Sequence, residues 1–178
     1  YHPNVAAILG KIGNMKKEMG DMDRAFETYQ QVLAIETYRL GLNHPDVSIT
    51  LHNIATIDAA RGNLRHALSL YEQVLSLQCQ VFGEDSEALA VTSACMEDVY
   101  ERMGDDDRAT DCFEEALRIK MMIMGRKSLQ VARLLHKLGK LSICREEFKM
   151  ADIFLTKALA SYRLNSLSNN DAWVVEAK

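Results

Sequence analysis

Gly41-Leu42-Asn43-His44-Pro45-Asp46-Val47-Ser48 stands out in a chain of 178 residues that has only two prolines. The other proline lies in Tyr1-His2-Pro3-Asn4-Val5-Ala6, so the His-Pro pair recurs after 42 residues with a valine two places on. Sliding the sequence on itself by that interval aligns Gly20, Gly62 and Gly104, then Ala25, Ala67, Ala109 and Ala151, then Leu33, Leu75, Leu117 and Leu159. The same shift puts Tyr29, Tyr71, Phe113 and Leu155 in one column, Ile12, Ile54, Met96 and Leu138 in another, and Gly41, Gly83 and Gly125 in a third. One solenoid domain over residues 1–178 is therefore expected, with repeats at about 1–42, 43–84, 85–126 and 127–168 and a partial fifth at 169–178. A period of this size marks an array in which no repeat can cover its own apolar face, so each must stack on the next.

Inside a repeat the apolar residues recur at three and four, as in Val5, Ile8, Leu9 and Ile12, then Ala25, Phe26, Tyr29, Val32 and Leu33, which is helical spacing. Each repeat reads as two helices. The first, helix A, is expected at about 3–19, 45–61, 87–103 and 129–145, and the second, helix B, at about 22–40, 64–82, 106–124 and 148–166. Gly20, Gly62 and Gly104 end helices A, and Asp21, Asn63 and Asp105 are placed to cap helices B. Gly41 is expected to stop helix B in a left-handed turn, with Pro45 preset for the first turn of the next helix A. Ser86 and Ser128 take the capping slot where the later repeats lack proline. His44 then belongs to a cap, with no acid or nucleophile at fixed spacing.

A formal net charge of −4 leaves no basic footprint for nucleic acid, and no apolar run approaches the roughly 18 residues that a bilayer span needs. The chain has no initiator methionine and opens and closes within the pattern, so a longer parent protein is expected. Cys79, Cys95, Cys112 and Cys144 lie 16, 17 and 32 residues apart without ligand-like spacing, so they read as reduced thiols of a cytoplasmic protein. Gly104-Asp105-Asp106-Asp107 has Arg108 and Ala109 where a calcium loop needs ligands, and is better read as capping that favours the helix dipole. Gly139-Lys140-Leu141-Ser142 has Leu134 where a phosphate loop needs glycine. Met121, Met122 and Met124 read as core filler. No cofactor, metal site or catalytic group is expected.

These residues resemble tetratricopeptide repeats, in particular the 42-residue variety of kinesin light chains. His44-Pro45-Asp46-Val47-Ser48 and His2-Pro3-Asn4-Val5-Ala6 look like that family's inter-repeat HPDVA, Leu51-His52-Asn53-Ile54-Ala55 like its LNNLA, and Tyr71-Glu72-Gln73-Val74-Leu75 like its YERAL. Glu146 departs from the glycine column, and Ser161 from the apolar column of Ile35, Leu77 and Ile119. The resemblance implies an all-α, right-handed superhelical solenoid of antiparallel helix pairs, with four repeats and the start of a fifth helix A.

The resemblance also implies that helices A line a concave groove that binds extended peptide. The slots flanking the apolar column hold Lys11, Asn14, His52, Asn53, Thr56, Arg133, His136, Lys137 and Lys140. Asn53 matches the family's peptide-holding Asn, whose amide can pair with both backbone donor and acceptor, while Lys11 and Lys137 depart from it. Arg133, His136, Lys137 and Lys140 fall on one helical face suited to an acidic peptide. Residues 85–126 carry five Lys/Arg against eleven Asp/Glu, and residues 127–168 eight against three. This polarity either helps neighbouring repeats attach or orients a ligand. The expected function is a non-catalytic scaffold that binds a peptide, cargo or adaptor segment. The alternatives are an architectural spacer that self-associates end to end, or a regulatory domain of a larger protein.

Overall fold

A computed structural model describes residues 3–165. Among these the chain forms α1 (Pro3–Glu18), α2 (Met22–Leu40), α3 (Pro45–Ala60), α4 (Leu64–Phe82), α5 (Glu87–Met103), α6 (Asp106–Met124), α7 (Leu129–Cys144) and α8 (Phe148–Leu164), and no strand. The expected partial fifth repeat at 169–178 lies outside the described residues. The helices fall into two compact units, the first ending at Glu84 and the second beginning at Asp85. In the first, α1 pairs with α2, α2 with α3, and α3 with α4; in the second, α5 pairs with α6, α6 with α7, and α7 with α8.

The boundaries are set by local chemistry. Asp21 accepts from the Arg24 amide at 3.2 Å and Asp105 from the Arg108 amide at 3.3 Å, so each satisfies an orphan donor at the start of a helix B. Ser86 and Ser128 do the same for Leu89 and Val131. His44 caps α3 itself, its Nδ1 accepting from the Asp46 amide at 3.2 Å ahead of Pro45. Asn63 corrects an expectation. It makes no side-chain cap bond, because its amide turns back to donate to Asp58 Oδ1 at 3.1 Å, and Asp58 Oδ2 lies 2.7 Å from His66 Nδ1.

The fourth repeat keeps the turn geometry after losing the glycine. Glu146 adopts φ of 61°, the left-handed conformation that Gly104 takes at 73°, at a cost of about 1 kcal/mol for a residue with a Cβ. Gly41 differs from expectation in a smaller way. Its φ of 83° is positive as foreseen, but a ψ of 163° puts it in an extended region open only to glycine, not in a left-handed helical turn.

Packing within a pair depends on small residues. Ala25, Ala67 and Ala109 are completely buried and Ala151 nearly so, letting helix B approach helix A. Tyr29, Tyr71 and Phe113, one turn on, are buried, while Leu155 is only half-buried. Opposite them lie Gly13 and Gly139: a Cβ on Gly13 would stand 3.0 Å from the Tyr29 ring, and one on Gly139 2.6 Å from Leu155 Cγ. Between the two pairs of each unit, an arginine reaches back from the later pair to the earlier one. Arg61 binds Asp23 and lies 4.6 Å above the Phe26 ring in the first unit. In the second, Arg145 reaches Asp107 at 2.7 Å and Thr110 at 3.0 Å.

Candidate functional site

In the first unit α1, α2 and α3 enclose a cleft of about 470 Å³. Lys11 and Asn14 line it from α1 and Asn53 from α3, with Tyr29 and Glu36 between them on α2. Three of the sequence-selected residues therefore share one cavity. The Tyr29 hydroxyl donates to Asn14 Oδ1, which ties the edge of the cleft to its floor. Thr50 donates to Glu36 Oε2 at 2.7 Å; burial nevertheless raises the Glu36 carboxyl, only partly offset by that bond.

Asn53 is already engaged at both ends of its amide. Its Oδ1 accepts from Lys17 Nζ at 2.9 Å and its Nδ2 donates to the Ile49 carbonyl at 3.2 Å. Lys17, absent from the sequence-selected set, thus competes directly with any peptide for this side chain. His52 turns instead toward Tyr71, ring edge to face at 5.4 Å, and burial followed by the Lys17 charge depresses its pKa. The Thr56 hydroxyl donates to the His52 carbonyl at 2.9 Å and lies 3.1 Å from the Tyr71 hydroxyl. His52 and Thr56 hold the helix pair together, beside the cleft.

In the second unit Arg133, Lys137 and Lys140 are exposed along α7 at spacings of four and three, one turn apart. His136 does not join them. It is completely buried, 6.5 Å edge-on from Tyr162 of α8, which closes over that side of the helix. Lys137 is not a free cation either: its Nζ lies 3.3 Å from Glu97 Oε2 and 5.3 Å from the centre of the Phe113 ring. Glu97 is 1% exposed, and burial pushes its carboxyl up to about 7 despite the Lys137 charge, with Glu101 adding to the rise. Sequence reasoning missed Glu97, although the signal was available. The 42-residue shift aligns it with Gly13, Ala55 and Gly139, so a carboxylate replaces three small residues at a helix contact.

Among the described residues no group of three or more His, Cys, Asp and Glu could hold a metal ion, and no helix is long and apolar enough to cross a membrane. The four cysteines are unbridged. Burial first, then the charges of Asp111 and Glu97, push the Cys112 thiol up to about 11.

Comparison with solved structures finds the same fold elsewhere. BtubC (BKLC) from P. vanneervenii matches with a TM-score of 0.83 and 21% identity over 90% of this chain, which spans 64% of that one. A putative kinesin light chain from Podosopora anserina, with nearly identical TPR-like repeats, matches at 0.82 and 19% identity over 99% of this chain and 83% of its own. MamA matches at 0.70 and 17% identity, over 92% and 82%. A comparison with curated protein sequences finds no match. The tetratricopeptide repeat family model matches residues 4–80 and 89–163, nearly all of the eight helices described above. With the family model over most of its length, and helix pairs recurring at one period, the chain belongs to the tetratricopeptide repeat family.

Proposed function

We propose that this chain is a non-catalytic scaffold whose helix-A faces take an extended acidic peptide, or a cargo or adaptor segment of a protein partner. The first-unit cleft carries the reading, because Lys11, Asn14 and Asn53 line it together from two successive helices A. In the second unit Arg133, Lys137 and Lys140 favour acidic side chains.

The test is fluorescence anisotropy with a peptide of alternating Glu and Leu. Charge reversal at Lys11 in one variant, and at Arg133 and Lys140 in another, is expected to weaken binding about tenfold with Tm nearly unchanged. Reversal is kept away from Lys137, where a new carboxylate would face the buried Glu97. Equal affinity in all three proteins overturns the reading.

A specific observation favours self-association as a second reading. Val5, Ile8, Ile12 and Met15 form an exposed apolar stripe along α1, Ile8 being 57% exposed. Their counterparts one repeat later, Val47, Thr50, Ile54 and Ile57, are buried in α3, which packs on α2. The stripe therefore has the design of a face that another helix pair covers, and a second copy of the chain would serve. Sedimentation velocity is expected to give oligomers that grow with concentration, reduced to monomer by Ile8→Asp. A wild-type monomer at high concentration overturns this reading.

A further inference from the structure

In the second unit the inner face of α5 carries a carboxylate at a position built for a small residue. Gly13, Ala55 and Gly139 occupy the same place in the other three repeats, Gly13 lying against Tyr29 and Gly139 against Leu155. Glu97 instead buries its side chain at the contact between α5 and α6 and meets the ammonium of Lys137 on α7 at 3.3 Å. Phe113 of α6 supplies the other wall, its ring centre 5.3 Å from the same ammonium. About half of the Lys137 side chain remains exposed, so the cation sits at the protein surface, drawn inward by one anion and one aromatic face.

The groups that face Glu97 come from three helices. Glu101 lies one turn on along α5, Cys112 stands on α6, and Lys137 comes from α7. The Cys112 thiol stays protonated through the neutral range, so it adds no charge. Glu101 opposes ionisation of Glu97 and Lys137 favours it. Burial, the larger effect, acts with Glu101 and outweighs Lys137, so the carboxyl is pushed up to about 7.

We propose that Glu97 is a proton-operated latch on Lys137: as a carboxylate it holds the ammonium inward, and as an acid it releases that charge to an acidic ligand lying along α7. The ligand half of the latch rests on the peptide-binding reading above, whereas the coupling between Glu97 and Lys137 does not. With that carboxyl pushed up to about 7, the acid form prevails at pH 6 and the carboxylate at pH 8; if only the acid form leaves Lys137 to the ligand, the apparent affinity for an acidic peptide should fall by about tenfold across that interval.

Two measurements separate the latch from the groove. The first needs no ligand. Wild type, Glu97→Gln, Lys137→Gln and the double variant are unfolded in urea at pH 8 and at pH 5.5, where the histidine contributions common to all four cancel in the double-mutant cycle. A favourable coupling at pH 8 that vanishes at pH 5.5 is expected, and a coupling equal at both pH values overturns the latch. Should a variant fail to fold, carboxyl-carbon NMR of the wild type reads the same property. A Glu97 midpoint near 7 supports the latch, and one below 5.5 overturns it.

The second measurement uses the alternating Glu-Leu peptide. Wild type should bind about tenfold more tightly at pH 6 than at pH 8, Glu97→Gln tightly at both, and Lys137→Gln weakly at both. Binding by wild type that does not change with pH overturns the latch and leaves the groove reading standing. No binding by any variant, together with a coupling lost at pH 5.5, overturns the groove reading and leaves the latch between the two residues.

Discussion

Tyr71→Ala is expected to lower stability by about 3–5 kcal/mol, among the largest effects that one substitution in this chain can have. The ring is 1% exposed and packs edge to face with His52 on α3, its centre 5.4 Å away. Truncation therefore removes transfer free energy and leaves a cavity that two rigid helices cannot close. Tyr71→Phe separates packing from hydrogen bonding. It keeps the ring and removes the contact between the hydroxyl and Thr56, so about 1 kcal/mol is expected. Phe113 already fills the equivalent position without a hydroxyl and is completely buried. Urea denaturation of the three proteins is the measurement. A loss below about 1 kcal/mol in Tyr71→Ala would mean that this column does not organise the helix pair.

Gly139→Val tests the opposite failure, overpacking. Gly139 lies within α7, where replacing glycine ordinarily gains up to about 1 kcal/mol of helix propensity. Here a Cβ would stand 2.6 Å from both Cγ and Cδ2 of Leu155, with the Leu155 backbone nitrogen at 3.5 Å. The leucine must leave its rotamer or α8 must move, so a net loss of about 3 kcal/mol is expected. Leu155→Ala in the same chain should relieve part of that loss, and the double-mutant cycle measures the relief. Additive effects would show that α7 and α8 do not meet through this pair.

The stability of the second unit should also depend on pH through Glu97. Because its folded carboxyl holds a proton up to about 7 while an unfolded one releases it near 4.5, the folded state binds more protons between those values. Stability contributed in this way is full below about 4.5, falls as pH rises toward 7 and changes no further above that.

Much of this was legible from one chain. Helix limits expected at 22–40, 64–82, 87–103 and 106–124 are those observed, and the others differ by one or two residues. Capping by Asp21, Asp105, Ser86 and Ser128, and the cap role of His44, also followed from residue type and position. Asn63 did not, because its choice between the helix start and Asp58 depends on a buried carboxylate from the preceding helix. The candidate site was legible only as a set of slots. Lys11, Asn14 and Asn53 meet in one cleft, but His136, expected on one face with Lys137, is buried on another side of the helix, where Tyr162 lies.

The sequence by itself determined the period, the helices and most of their caps, since each depends on interactions within a turn or two of the chain and recurs from repeat to repeat. Tertiary structure alone decided which polar side chains are spent on one another. Lys17 reaches Asn53 across 36 residues and Lys137 reaches Glu97 across 40. Whether a side chain at an inward or groove-facing slot is buried, paired or open depends on the neighbouring helices and the length of the side chains they offer. A carboxylate enclosed by α5, α6 and α7 loses the water that would have kept it ionised, and no local pattern along α5 records that loss.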